Sequence, residues 1–206
     1  MLTLTVSEIT KLKTLNTPAK IQDFLNTIPI NFEGIDSGQI FGVRSPARVL
    51  RENSAHCFEG AILGAYILSL HGFPPLLIHL KSSQKDWDHI VAPFKVDGFW
   101  GALSKTNHAV LRYREPVYKN IRELAMSYFH EYFLDDGRKT LTSFSSPLNL
   151  NIFEDSWPFE EDDLWGIDEE LDKIKHFDIA PLKTLKKLRL ADNIEIESGK
   201  LTEWKQ

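Results

Sequence analysis

The chain predicts an α+β domain whose antiparallel sheet packs against a helix that carries its only cysteine. Three observations predict it. An apolar helical segment lies between polar cap residues ahead of Cys57 and Gly72 just past its end. Two strand-like segments flank Asp97-Gly98, a strong short-range signal for a two-residue hairpin. Helically spaced apolar residues recur on both sides. With 206 residues and 42% hydrophobic content, the chain is long enough to bury a proper core.

The elements follow in order. Helices are expected near Ser7 to Leu15 and, after the Thr17-Pro18 cap, to Asn26. Ser45-Pro46 opens a short helix through Arg51, with a cap residue ahead of proline at the first helical position. Asn53 and Ser54 offer caps for the next helix, which carries Phe58, Ala61, Ile62, Ala65, Ile67 and Leu68 at apolar or small positions. With Ser54 as the cap, Cys57 falls in the first turn. Pro75 to Lys81 and His89 to Val96 read as strands joined by a polar loop, and Phe99 to Ser104 as a third.

A two-residue turn sets Val96 opposite Phe99, Lys95 opposite Trp100, Val91 opposite Ser104 and His89 opposite Thr106. Ser104 and Thr106 then share the face of His89, and Asn107 points the other way. Pro93 removes a ladder donor and marks an edge segment or a bulge. Ala109 to Tyr113 are expected to continue the sheet, Pro116 to Phe133 to form a long amphipathic helix, and Thr142 to Leu150 a weaker strand. Glu161 to Lys175 reads as a helix after the Trp157-Pro158-Phe159 loop. Leu182, Leu185 and Leu188 suit the inner face of a short basic helix. The expected division is an α+β domain over 1–150, including the N-terminal helices, with a helical extension over 151–206 packed on it, acidic and then basic.

The chemistry concentrates at Cys57 and His89. A helix start supplies unpaired backbone N–H groups and the positive end of the macrodipole, which favour thiolate over thiol. Most cysteines are simply small buried hydrophobes. Here a histidine opens a strand next to a hairpin, which gives the thiol a candidate base. The polar partner of that imidazole is expected among Ser104, Thr106 and Asn107.

The order of a helix-borne cysteine, a strand histidine and a Gly98-Phe99-Trp100 hairpin arm resembles the transglutaminase-like superfamily of papain-like thiol enzymes, in a bacterial-type branch. Cys57-x-Glu59-x-Ala61, His89 and the hairpin match over about Ala47 to Tyr113. The resemblance implies a papain-like core, Cys57 as nucleophile and His89 as its general base. It also implies an aspartate that orients the histidine, and here that position is Ser104, in Leu103-Ser104-Lys105-Thr106. A serine can accept from an imidazole N–H, but it does not stabilise imidazolium as a carboxylate does. Asn107 is the alternative third member; Asp86 and Asp88 are nearby carboxylates, Asp88 facing away from its neighbour His89.

The expected activity is a cysteine-dependent acyl transferase or an amide or peptide hydrolase. The alternative is an inactive module of the same fold that holds a protein partner, through the old cleft or the acidic stretch from Glu154 to Asp172. A net charge of -5 argues against broad nucleic-acid affinity. The single cysteine excludes an internal disulfide and fits a reducing, cytoplasmic setting. No secretory signal or membrane span is expected. His56, Cys57, His79 and His89 lack the spacing of metal ligands, and no phosphate loop or dinucleotide fingerprint is present, so neither metal nor cofactor is expected.

Overall fold

A computed structural model describes residues 1–32, 42–83 and 86–203. Four helices precede the first strand: α1 (Val6–Thr14), α2 (Pro18–Thr27), α3 (Pro46–Glu52) and α4 (Cys57–Ser69). The Thr5 hydroxyl accepts from the Glu8 N–H at 3.2 Å and the Glu8 carboxylate accepts from the Thr5 N–H at 2.7 Å, so α1 starts on a capping box. Thr17 and Ser45 cap α2 and α3 as expected.

The cap of α4 differs from expectation. It is His56; Asn53 instead ends α3 in the left-handed region (φ 49), and the Ser54 hydroxyl accepts from Arg44 at 3.0 Å. Cys57 is therefore the first helical residue. From Phe58 to Leu68 every residue of α4 is buried, the property of a helix enclosed on all sides.

The strands are β1 (Leu76–Ser82), β2 (His89–Val96), β3 (Phe99–Leu103), β4 (Arg114–Tyr118), β5 (Leu141–Ser145), β6 (Leu148–Asn149) and β7 (His176–Asp178). They form an antiparallel sheet in the order β4-β3-β2-β1-β5-β7, with β6 against the start of β1. Leu12, Ile21, Leu25 and α4 fill a core with Leu77, Ile90, Ala92, Phe94 and Leu103. A second core joins Ile78, Leu80, Val91 and Ala102 to Leu124, Ala125 and Tyr128 of helix α5 (Ile121–Phe129). Alternation along β1 and β2 separates the two sets, as a sheet covered on both faces requires.

The hairpin keeps its expected register from Val96–Phe99 to Ala92–Leu103, with Asp97 (φ 50) and Gly98 (φ 88) both left-handed in the turn. The ladder ends there, short of the expected pairs of Val91 with Ser104 and His89 with Thr106. The side chain of Gln22 takes both backbone groups of Ser104, accepting from its N–H at 2.9 Å and donating to its carbonyl at 2.8 Å, so the chain leaves β2 at this residue. Pro93 lies past the last β1 pair, Ile78–Val91, where β2 is bonded on the β3 side alone.

Other boundaries move for identifiable reasons. Ala109 to Tyr113 is not a strand, because Leu111 is left-handed (φ 58) and its N–H is held by Glu131 at 2.7 Å. Pro116 lies in β4 at the sheet edge, where a missing donor costs least, and Asn120 starts α5 by accepting from the Glu123 N–H at 2.9 Å. The segment from Thr142 breaks at Ser146-Pro147 into β5 and β6. Helix α6 is confined to Trp165–Lys173, since the residues before it bind α3: the Ser45 hydroxyl donates to the Glu160 carbonyl at 2.7 Å and Arg48 pairs with Asp163 at 2.8 Å. Helix α7 is Leu182–Leu185. The strand β7 and a helix α8 (Asn193–Gly199) have no counterpart in the sequence expectations. Among the described residues, no helix is long and apolar enough to cross a membrane.

Candidate active site

Cys57 stands at the N-terminus of α4, partly open to solvent. Beneath it the Glu59 carboxylate is fully buried and, among the described residues, accepts from the His56 N–H at 2.9 Å, the Arg44 N–H at 3.2 Å and the Asn31 amide at 3.1 Å, with the Arg44 guanidinium 3.6 Å away. Such donors let a carboxylate sit inside a protein. They also fix the start of α4. The Cys57 N–H, at the first helical position, has no intrahelical acceptor.

Two histidines act on the thiol. His56 donates from Nε2 to the Gly42 carbonyl at 2.8 Å, and its Nδ1 accepts from the Phe58 N–H at 3.3 Å. Burial opposes a charge on this ring, but Cys57 and Glu59 outweigh burial and raise its pKa. Burial likewise pushes the Cys57 thiol up. Hydrogen bonds with His56 and His89, joined by the charges of both rings, overcome this and hold the thiol well below its ordinary range.

The proton positions around His89 follow from its neighbours. Its Nε2 lies 2.7 Å from the Ser104 hydroxyl, and that hydroxyl is also bonded to the Leu111 carbonyl. A carbonyl only accepts, so the serine proton is committed to Leu111. Ser104 must then accept from His89, which places the imidazole proton on Nε2 and leaves Nδ1 for Cys57. That is the tautomer a thiol's base requires.

Leu111 can offer its carbonyl because of its left-handed backbone, a conformation that costs a non-glycine residue roughly 1–2 kcal/mol. Its N–H is anchored by Glu131, which Arg114 pairs with at 2.6 Å. From the other side Gln22 pins Ser104. Gly60 completes the arrangement: a Cβ there would stand 2.3 Å from that of Lys105, whose stem crosses α4 to reach the Ile28 carbonyl at 2.6 Å.

A cavity of about 900 Å³ opens beside the pair, walled by the 105–111 segment, α6 and α8. Cys57, His89 and Ser104 are thus brought together. Thr106 and Asn107 line the cavity, and among the described residues no hydrogen bond joins the Asn107 side chain to His89; its main-chain carbonyl accepts from the Glu203 N–H at 2.7 Å. Asp88 turns away, to His79 at 2.8 Å, and Asp86 accepts from Thr140. Among the described residues no group of three or more His, Cys, Asp or Glu side chains could hold a metal ion. Gln22, Leu111 and Glu131 were not legible as site residues. Glu59 was visible only as part of a motif, because histidine is outside the usual cap set that would have revealed a capping box.

Compared with known proteins, the sequence matches no protein-family model and no curated protein.

Proposed function

We propose that this chain is a cysteine-dependent enzyme of the transglutaminase-like kind, with a papain-like core, that hydrolyses an amide or peptide bond or transfers its acyl group to an amine. The observation that carries this is the one-way chain from His89 through Ser104 to the Leu111 carbonyl, which leaves Nδ1 facing a thiol of lowered pKa. The Cys57 thiolate adds to the substrate carbonyl, and the Cys57 N–H stabilises the resulting oxyanion. The carbon–nitrogen bond breaks as His89 gives its Nδ1 proton to the leaving amine, and a thioester is left on Cys57. His89 then takes a proton from water or from an acceptor amine, which displaces the sulfur as an acid or a new amide forms. The setting proposed is cytoplasmic.

Iodoacetamide alkylation across pH tests the reading, and the chain's single cysteine makes the signal unambiguous. Reaction should persist well below the range of an ordinary thiol, at about 8.5. It should fall only as pH drops through the lowered pKa, and His89→Ala should abolish the advantage. An ordinary titration indifferent to His89→Ala would instead favour a non-catalytic binding module. That alternative rests on the hydroxyl, in place of a carboxylate, beside His89.

A further inference from the structure

After Ser104 the chain runs along the cavity, exposing Thr106, Asn107 and His108 to it. One extended segment is already laid against this run. The Ala109 N–H donates to the Leu201 carbonyl at 2.9 Å, and the Glu203 N–H donates to the Asn107 carbonyl at 2.7 Å. These bonds flank an antiparallel pairing of His108 with Thr202. His108 adds a ring contact of 3.2 Å to the Gly199 carbonyl. The contacts to the tail are therefore to its main chain.

The tail is held weakly otherwise. Helix α8 buries no side chain, Leu201 is 63% exposed, and Ile194 is 80% exposed. Its attachments include the Ala191 N–H to the Gly137 carbonyl at 2.8 Å and a Lys139–Glu195 pair at 3.8 Å, with Gly199 against the Phe133 ring. A segment with so little apolar burial opens at small cost. Gly199 and Lys200 nevertheless wall the same cavity as Cys57 and His89.

We propose that residues 107–109 form a main-chain docking edge for an extended peptide, which residues 201–203 occupy in cis. This is strand addition, in which backbone bonds supply affinity and leave sequence largely unread. A peptide seated there lies along the cavity that holds Cys57, so the inference names the substrate class of the proposed thiol enzyme and rests on that reading for its catalytic meaning. The docking itself needs no thiol chemistry.

The test uses the whole 206-residue chain. Glu203→Pro removes the tail's donor to Asn107 without touching the edge, and Ala109→Pro removes the edge's donor. The probe is the blocked peptide Gly-Lys-Leu-Thr-Glu, titrated into labelled protein while the residue 107–109 amides are followed by NMR. In Glu203→Pro the Ala109 amide should lose protection from exchange, the peptide should shift it, and a bulky maleimide should reach Cys57 at least threefold faster than in the parent. The double variant Ala109→Pro/Glu203→Pro should not bind the peptide. The proposal is overturned by an Ala109 amide as protected in Glu203→Pro as in the parent, by a freed edge that ignores the peptide, or by equal binding in the double variant. Repeating the titration in Cys57→Ser separates the two readings: peptide binding there, alongside an ordinary thiol in the iodoacetamide test, leaves the docking edge standing and removes the enzyme.

Discussion

His79 on β1 and His89 on β2 are buried histidines on neighbouring strands, and their partners are opposite in kind. His79 has the carboxylate that His89 lacks: Asp88 Oδ2 lies 2.8 Å from its Nε2. Its Nδ1 lies 3.2 Å from Nε2 of His176, whose own Nδ1 must donate to the Ile174 carbonyl at 2.8 Å. Burial lowers the His176 pKa, and its bond to Ile174 turns Nε2 toward His79. The His79 ring is held between a carboxylate and a second imidazole. His89 has a hydroxyl that sets its tautomer without demanding a charge, and a thiol at its other nitrogen. The difference separates two duties usually given to one carboxylate: orienting a ring and holding it charged. A base that must lose and regain a proton needs the first.

Ser104 is where this comparison breaks most sharply. Ser104→Ala leaves the His89 Nε2–H and the Leu111 carbonyl without each other's bridge, and an unmet buried group costs about 1–3 kcal/mol. The alkylation advantage at neutral pH should fall roughly 10- to 100-fold, at about 1.4 kcal/mol per factor of ten. Ser104→Asp should give His89 a carboxylate partner of the kind His79 has: its NMR titration moves to higher pH than in the parent, and more of Cys57 is held as thiolate in the ion pair. A folded Ser104→Asp protein whose His89 titrates unchanged would remove Ser104 as the orienting residue.

Gly60→Ala comes next. The added Cβ meets the base of the Lys105 side chain, which cannot swing aside, so α4 and the Ser104-Lys105 backbone must separate. Overpacking of this kind costs about 1–3 kcal/mol. Thermal melting should show it, and the alkylation advantage should shrink with it; an unchanged melting temperature would mean that the close approach is not needed.

The parts of this site that were legible in the sequence are those with local signals. Asp97-Gly98 and strict alternation gave the hairpin, its register as far as Leu103, and the shared face of His89 and Ser104. The apolar run after Cys57 gave the buried helix. What could not be read depends on contacts across the fold. Gln22 lies 82 residues from Ser104, and the bonds that turn the chain out of the sheet are side chain to backbone. Leu111 is a residue type with no preference for the left-handed region, so nothing local announced that its carbonyl would enter the site. Likewise His56 caps α4 through a ring nitrogen, where Asn53 and Ser54 were the better local candidates.

Glu131 sharpens the orienting half of the comparison with a smaller effect. It fixes Leu111 through the N–H, one residue plane away from the carbonyl that Ser104 uses. Glu131→Gln keeps an acceptor oxygen and should leave most of the alkylation advantage. Glu131→Ala should lose about three- to tenfold, on the scale of one net hydrogen bond of about 1 kcal/mol. Leu111→Gly in the Glu131→Ala background should recover part of it, because glycine adopts the left-handed conformation without the side-chain penalty. Equal loss in the glutamine and alanine variants would show that charge, rather than the bond to Leu111, is what Glu131 contributes.

Asp88→Asn probes the other histidine and should affect Cys57 least. Burial raises the Asp88 pKa, but hydrogen bonds from His79 and Ser82, together with the His79 charge, more than offset this and lower it. A carboxylate whose pKa is lower folded than unfolded stabilises the fold above its unfolded value, near about 3.9, and that contribution is lost as pH falls through the lower folded value. The parent should therefore melt above Asp88→Asn at pH 6, and the gap should close as pH is taken down toward 3. Alkylation of Cys57 at neutral pH should be unchanged within twofold, because the Asp88 carboxylate is bonded to His79 and Ser82 of β1. A gap that stays constant with pH would show that Asp88 acts by shape alone. A large fall in alkylation would show that the two histidine clusters are coupled through the shared strands.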